Sequence, residues 1–579
     1  MTQQSTKISA GEAFLQILKA HNIEYIFSSP GSEWPAVWEA LAKLRAREEP
    51  MPYYINTRHE ELAVGLASGY HKTTGKLPAV LVHSTVGTMH ATMAMRAALH
   101  EHVPMVVAAG ESTSFGEDPS LDPGAQWQRF LTDIGGPALT AERVVKWTER
   151  VTTLANLPGL VHHACQVALT PPMGPVFLSF PMELLLEEMP EESVRAHSFP
   201  GATFQPDSEL LGRVAQMLVE AKSPLIITEH AGRDPENVAN VVELAESLAI
   251  PVVESQSPMY LNFPHDHPLH LGYDPRPYLA DADVVLLLGV NAPWHPPAQG
   301  PGENATTVLV DEDPGKTNLG FWNYKVDLVL AGNVKSATRE LASRVKELKS
   351  QGPDDKAIEE RRTRVSAEHA QQRDAWRREA EASGQQAPID TRWLCHELNE
   401  VLPQDAVLLE ETITHRPAIN RLINRSQPGT FFSGHYGGLG AGLGIGLGAK
   451  LGNPDKLMVT LIGDGAFNYN PVLPALGYIQ EYNQPMLIVV FDNRLYASMK
   501  GGLVNYYPDG FAVKTGVYYG GAITPGPDYA GVVRAMDGYG ESVEDPAEVR
   551  PALERAIEQV KAGRVALVNV LLEQRDPRR

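Results

Sequence analysis

The sequence predicts an α/β protein of three domains, each a parallel sheet flanked by helices. Three observations carry that prediction. At 579 residues the chain is too long for a single core. Its most apolar segments are short and separated by stretches of helical periodicity, the rhythm of strands covered on both faces. That rhythm breaks in two places and divides the chain into segments of similar size.

Residues 1–186 are expected to form the first domain. Ser9 and Glu12 have capping-box spacing ahead of an amphipathic helix. AVLVH (79–83), PMVVAAG (104–110) and GPVFLSFP (174–181) read as buried strands. The acidic, Pro- and Gly-punctuated run 187–206 reads as a linker that opens a second domain, 187–352. In it PLIITEHAG (224–232), IPVVES (250–255), ADVVLLLGV (282–290) and TTVLVDEDP (306–314) are strands, and 236–248 is helical. Residues 353–387 are crowded with charge and poor in apolar positions, which predicts a solvated linker helix. The third domain, 388–579, has strands at AVLLE (406–410), LMVTLIGDG (457–465), MLIVVFDN (486–493) and ALVNVLL (566–572).

Composition narrows the partners. A net charge of -21 argues against nucleic acid or an anionic membrane. No apolar run approaches the roughly 18 residues that span a bilayer. The N-terminus lacks a basic stretch followed by an apolar one. Two cysteines, Cys165 and Cys395, cannot build a disulfide framework, so a cytoplasmic location is expected.

The sharpest motif is IGDGAFNYN (462–470) followed by MLIVVFDNRLY (486–496). Each half ends an apolar strand, so Asp464 and Asn493 are expected side by side beyond the carboxyl ends of neighbouring strands, joined by one crossover helix. Open parallel sheets bind ligands there. A carboxylate, an amide oxygen and a backbone carbonyl, that of Leu495, are the hard oxygen donors that Mg²⁺ takes when it bridges to phosphate. Gly463 and Gly465 are expected to let the backbone turn sharply, and the following helix offers N-terminal amides to an anion. A lone GDG is more often a plain strand-to-helix turn; the second strand ending in Asp-Asn weighs against that. The Gly-rich stretch FSGHYGGLGAGLGIGLGAKLG (432–452) first suggests a dinucleotide fingerprint and an oxidoreductase using NAD or FAD, but no clear strand precedes its GxGxxG.

On these residues the chain resembles the thiamine-diphosphate (ThDP) decarboxylase and acetolactate synthase superfamily, and within it benzoylformate decarboxylase. The resemblance spans most of the chain. It implies a pyrimidine-binding first domain, a middle domain and a diphosphate-binding third domain. It implies ThDP and Mg²⁺ as cofactors, with Asp464, Asn493 and the Leu495 carbonyl on the metal and Gly463, Gly465 and Ala466 beside the diphosphate. RHEELAVGLASGYHKTTGK (58–76) matches the segment of the cofactor-activating glutamate, which implies Glu60; the apolar Leu62, Ala63 and Val64 are expected to raise its pKa. Leu439, inside GGLG, matches the bulky residue that bends ThDP into a V.

Three more segments imply the substrate side. SSPGSEWPAVWEAL (28–41) matches the loop of a substrate-contacting serine, Ser32. VLVHSTVGTMHATM (80–93) and GVNAPWHPPAQGPG (289–302) match the segments of two catalytic histidines, His83 and His295. Histidine exchanges protons at neutral pH, and decarboxylation needs a proton donor once CO₂ has left. The implied activity is non-oxidative decarboxylation of a 2-keto acid to an aldehyde. The alternative is a carboligase or lyase on the same cofactor, of acetolactate synthase or 2-hydroxyacyl-CoA lyase type. The resemblance also implies a homodimer at minimum, with a homotetramer expected, because the Glu60 domain of one chain faces the Asp464 domain of its partner. Some positions depart from the pattern. Asp492 replaces an asparagine. Ile413, Ser498 and Gly502 are not the residues expected around an aryl group, and His415 and His435 have no counterpart. Residues 500–530, rich in Gly and Tyr, are expected to form a lid.

Overall fold

The computed structural model describes residues 6–113, 133–195, 197–349, 355–434 and 438–574. They fall into two compact units. The first comprises Met1–Ala202, His435–Asp455 and Tyr469–Gln484; the second comprises Thr203–Gly434, Lys456–Asn468 and Pro485–Arg579. Three parallel sheets flanked by helices make up the fold, one in the first unit and two in the second.

The first unit contains β1 (Lys7–Ser9), β2 (Tyr25–Ser29), β3 (Tyr53–Asn56), β4 (Ala79–His83), β5 (Met105–Glu111), β6 (Trp147–Arg150), β7 (Pro175–Pro181) and β8 (Glu188–Pro190). Six strands form a parallel sheet in the order β3-β2-β4-β5-β7-β6. β8 pairs antiparallel with β1, so the run expected to be only a linker also closes a two-stranded ribbon. The helix α1 (Ala10–Ala20) starts as its spacing predicts: the Ser9 side chain accepts from the Glu12 amide at 3.1 Å. The Glu12 carboxylate does not complete the capping box but turns to Lys43.

The α3 helix (Glu60–Thr74) is preceded by α2 (Pro35–Ala46) and followed by α4 (Ser84–His100). It packs against the helix Gly442–Gly452, which belongs to the same unit. The contact is backbone on backbone. A Cβ on Gly69 would lie 1.9 Å from the Ile445 carbonyl oxygen, and one on Gly448 would lie 2.1 Å from that of Leu66. The Gly-rich stretch is thus a close-packing helix, and only glycine permits the approach.

The second unit holds β9 (Pro224–Thr228), β10 (Val252–Glu254), β11 (Val284–Leu288), β12 (Thr306–Asp311) and β13 (Leu328–Ala331), in the order β10-β9-β11-β12-β13. It also holds β14 (Val407–Glu411), β15 (Phe431–Ser433), β16 (Met458–Gly463), β17 (Leu487–Asp492), β18 (Tyr539–Val543) and β19 (Ala566–Leu571), in the order β15-β14-β16-β17-β19-β18. The charged helix runs Asp355–Ala382 but is not simply solvated. Ile358 and Val365 join the core of the β9–β13 sheet, and Arg361 donates to the carbonyl oxygens of Leu248 and Lys222. Between β16 and β17 the chain forms two helices, Asp464–Tyr469 and Val472–Tyr482, rather than one. Pro471 at the break has no amide to continue the first.

All three sheets turn the same way. The chain leaves β2 for β3 on one side, then enters β4 on the other; β9, β10 and β11 repeat the pattern, as do β14, β15 and β16. The crevices above β2/β4, β9/β11 and β14/β16 are therefore switch points, where ligands bind in open parallel sheets. Among the described residues no helix is long and apolar enough to cross a membrane.

Candidate active site

At the β14/β16 switch point, Asp464 leaves β16 directly into a helix, and β17 brings Asp492 and Asn493 alongside in register Gly463↔Phe491. Asp464 Oδ1 accepts from the Gly465 amide at 2.7 Å, whereas Oδ2 is buried with no hydrogen-bond partner. Asp492 accepts from the Arg494 amide and the Asn569 side chain, both at 3.1 Å. Burial, reinforced by the Asp492 carboxylate, pushes Asp464 up to about 7. Asn493 Oδ1 accepts from the Leu495 amide at 3.0 Å, and its Nδ2 lies 3.1 Å from His415 Nε2. An amide nitrogen only donates, so His415 accepts at Nε2 and carries its proton on Nδ1, 2.9 Å from Thr391 Oγ1. An orphaned buried carboxylate oxygen, a second carboxylate, a side-chain amide and a turn of backbone carbonyls form a donor set suited to a hard divalent cation.

The sharp glycine turn expected here is not present. Neither Gly463 nor Gly465 has a positive φ; the strand runs straight into the helix. Gly465 is needed instead for close approach, since a Cβ would lie 2.7 Å from the Tyr496 ring. The left-handed residue is Arg494, at φ 55, and Leu495 then pairs with Ala522. Ile413, just past β14, is also left-handed at φ 46. In 500–530, the helix Phe511–Thr515 follows Ala497–Tyr506, with Tyr506, Phe511 and Tyr519 largely exposed.

The β2/β4 switch point in the first unit brings together the loop of Ser32 and the end of β4 at His83. Ser32 is exposed in a turn. The neighbouring Glu33 is fully buried. Both its oxygens lie 2.8 Å from His83 Nδ1, and Oε1 accepts the Ser84 amide at 2.9 Å. Trp34 Nε1 donates to the Val82 carbonyl at 3.1 Å and ties the loop down. Ser84 follows in the left-handed region at φ 30. Glu33 engages Nδ1 and so fixes the imidazole's orientation, with Nε2 on the side of the ring turned from that carboxylate.

Glu60 opens α3, its side chain 14% exposed and seated over Gly87 of α4. Leu62, Ala63 and Val64 are wholly buried behind it. His90 Nδ1 is 4.0 Å from its Oε2. His59, Glu60 and His90 bring three possible metal ligands within 4.8 Å, but the His59 Nδ1 lone pair is engaged by the Glu61 amide. Leu439 is half-buried in the bend before the Gly442–Gly452 helix; His435 lies outside the described residues. His295 is exposed on the loop after β11, in the second unit.

Models of three thiamine pyrophosphate enzyme domains match the chain: the N-terminal TPP binding domain over 8–127, the central domain over 211–341 and the C-terminal TPP binding domain over 414–570. The chain belongs to the thiamine pyrophosphate enzyme family. The acetolactate synthase large subunit of Mycobacterium tuberculosis is 28% identical, covering 99% of this chain and 97% of its own. Benzoylformate decarboxylase of Pseudomonas aeruginosa is 26% identical over 98% and 99%. A solved Rhodococcus jostii RHA1 thiamine diphosphate-dependent 4-hydroxybenzoylformate decarboxylase has the same fold, with a TM-score of 0.79 at 22% identity, covering 98% and 99%. In this thiamine pyrophosphate enzyme, sequence reasoning passed over Glu33. Its only signal was a carboxylate set between Ser32 and a Trp-Pro step.

Proposed function

We propose that this chain is a non-oxidative 2-keto acid decarboxylase that uses ThDP and Mg²⁺ and releases an aldehyde. The observation that carries the proposal is the His83–Glu33 pair, a histidine held in one orientation by a buried carboxylate at a switch point. Bound ThDP supplies the electron sink for the carbon that loses CO₂. The protein's residues do the rest. Asp464, Asn493 and the Leu495 carbonyl would hold Mg²⁺, and Gly463, Gly465 and Ala466 would lie beside the diphosphate. Leu439 would support the cofactor from the bend it occupies, and Glu60 would keep a proton at the pyrimidine N1′. Ser32 holds the substrate carboxylate, and His83 and His295 deliver and take protons at the reacting carbon and oxygen.

The test is product analysis with pyruvate, phenylglyoxylate and branched 2-keto acids. Free aldehyde supports the proposal; acetolactate or acetoin without aldehyde overturns it in favour of a carboligase or lyase, the reading that the acetolactate synthase likeness favours. Glu60→Gln is expected to abolish turnover while calorimetry still registers ThDP binding. The working assembly is a homodimer at minimum, and a homotetramer in the full reading, in the cytoplasm. An exposed apolar stripe on α4, Val86, Met89 and Met93, supports a contact with a second copy.

A further inference from the structure

The β9/β11 switch point is filled by a carboxylate that no step above uses. Glu229 directly follows β9 and is fully buried, its side chain 4% exposed. Its Oε2 accepts the backbone amides of Asn291 at 3.0 Å and Ala292 at 3.2 Å, and its Oε1 lies 3.2 Å from His230 Nε2. Those amides begin the loop that presents His295. The same stretch is held from two other directions: the His230 amide donates to the Gly289 carbonyl at 2.9 Å, and Trp322 Nε1 donates to the Asn291 carbonyl at 2.8 Å. Trp294 Nε1 closes the turn onto the Pro297 carbonyl at 3.1 Å. A buried ionised carboxylate is costly unless its oxygens are satisfied, and here the satisfying donors are the amides of that loop.

The first sheet uses the same device. Glu33, past the first strand of its switch point, takes His83 and the Ser84 amide at the end of the other strand. In both places a carboxylate from one strand end pins the neighbouring strand's exit, and a candidate proton-transfer histidine rides on that exit. We propose that Glu229 is a positioning residue that holds the loop 289–297 so that His295 meets the substrate. This rests on the decarboxylase reading of His295.

The experiment compares wild type, Glu229→Gln, His295→Ala and the double variant as holoenzymes, with kcat and KM for the 2-keto acid and hydrogen exchange of the 289–297 peptide. Glu229→Gln keeps the shape and removes the charge. It is expected to lower kcat on the order of 10²-fold through misplacement of the loop, with ThDP affinity unchanged, and to speed exchange of that peptide. The double variant is expected to be no slower than His295→Ala, because Glu229 acts only through His295. Effects that multiply in the double variant, or unchanged exchange, overturn the assignment of Glu229 and leave the decarboxylase reading standing. A His295→Ala enzyme of wild-type turnover removes that histidine from the reaction and the proposal with it. Should Glu229→Gln not fold, Glu229→Asp, which keeps the charge and shortens the reach, is read by the same measurements.

Discussion

Gly31 is what allows His83 and Glu33 to meet. A Cβ there would lie 1.6 Å from His83 Nδ1 and 2.3 Å from Glu33 Oε2, and one on Gly110 would lie 2.0 Å from Glu33 Cγ. Gly31→Ala is therefore expected to displace the imidazole and slow turnover on the order of 10²-fold while ThDP affinity stays unchanged, read by steady-state kinetics beside calorimetry. Ile413 presents the opposite case. A β-branched side chain at φ 46 costs about 1–2 kcal/mol in the left-handed region, and at 38% exposure much of the side chain still packs. Ile413→Gly relieves that cost but gives up this packing and adds entropy to the unfolded chain, so it is expected to shift stability by less than about 1 kcal/mol in urea unfolding. Ile413→Val is expected to change nothing.

At the scale of elements, the seam between α3 and the Gly442–Gly452 helix is the tightest contact around Glu60. Gly69→Ala or Gly448→Ala must push the facing backbones apart, and each is expected to cost about 1–3 kcal/mol as overpacking. Gly159, in the helix Leu157–Leu169, has nothing within 4 Å of its Cβ position. Gly159→Ala is expected to gain about 0.5–1 kcal/mol of helix propensity, and thermal melts of the three variants check the contrast. The central strands were legible because burial on both faces leaves an uninterrupted apolar run, as in Val284–Leu288 or Leu487–Asp492. The edge strands YYIN and WTER were not, because solvent on one side removes that run. Asp464 and Asn493 could be placed together because each ends such a run. Glu33 and Glu229 could not be singled out, since one carboxylate after a strand looks like any solvated turn until the strand order puts a neighbouring exit beside it.

The whole molecule carries a pH dependence in its second unit. His270 and His265 each approach Glu254 Oε2 at 3.3 Å through Nε2, all three buried. Burial lowers His270 from 6.5 to about 4. The unfolded chain binds this proton near 6.5 and the folded one only near 4, so the contribution is complete above 6.5. It is lost at about 1.4 kcal/mol per pH unit between those values. Burial alone would raise Glu254; hydrogen bonds from His265 and His270 outweigh it and hold the carboxyl at about 2, so further stability is lost below its ordinary 4.5. Urea midpoints are expected to fall from pH 6.5 downward, and His270→Gln is expected to flatten the upper end of that limb. The α4 stripe is tested at the same scale. Met89→Lys with Met93→Lys is expected to give monomers in sedimentation velocity if that face is the subunit contact.

The helix Gly442–Gly452 packs on α3, yet the longest segment of the second unit, Thr203–Gly434, separates the two along the chain. A nascent polypeptide leaves the ribosome amino end first, so the notched side of α3 emerges long before its cover has been translated. Pairings of such long loop length close late. Until the final third is synthesised, the element that begins at Glu60 is a bare surface for chaperones, and a message cut short before that point yields a first unit that cannot seal.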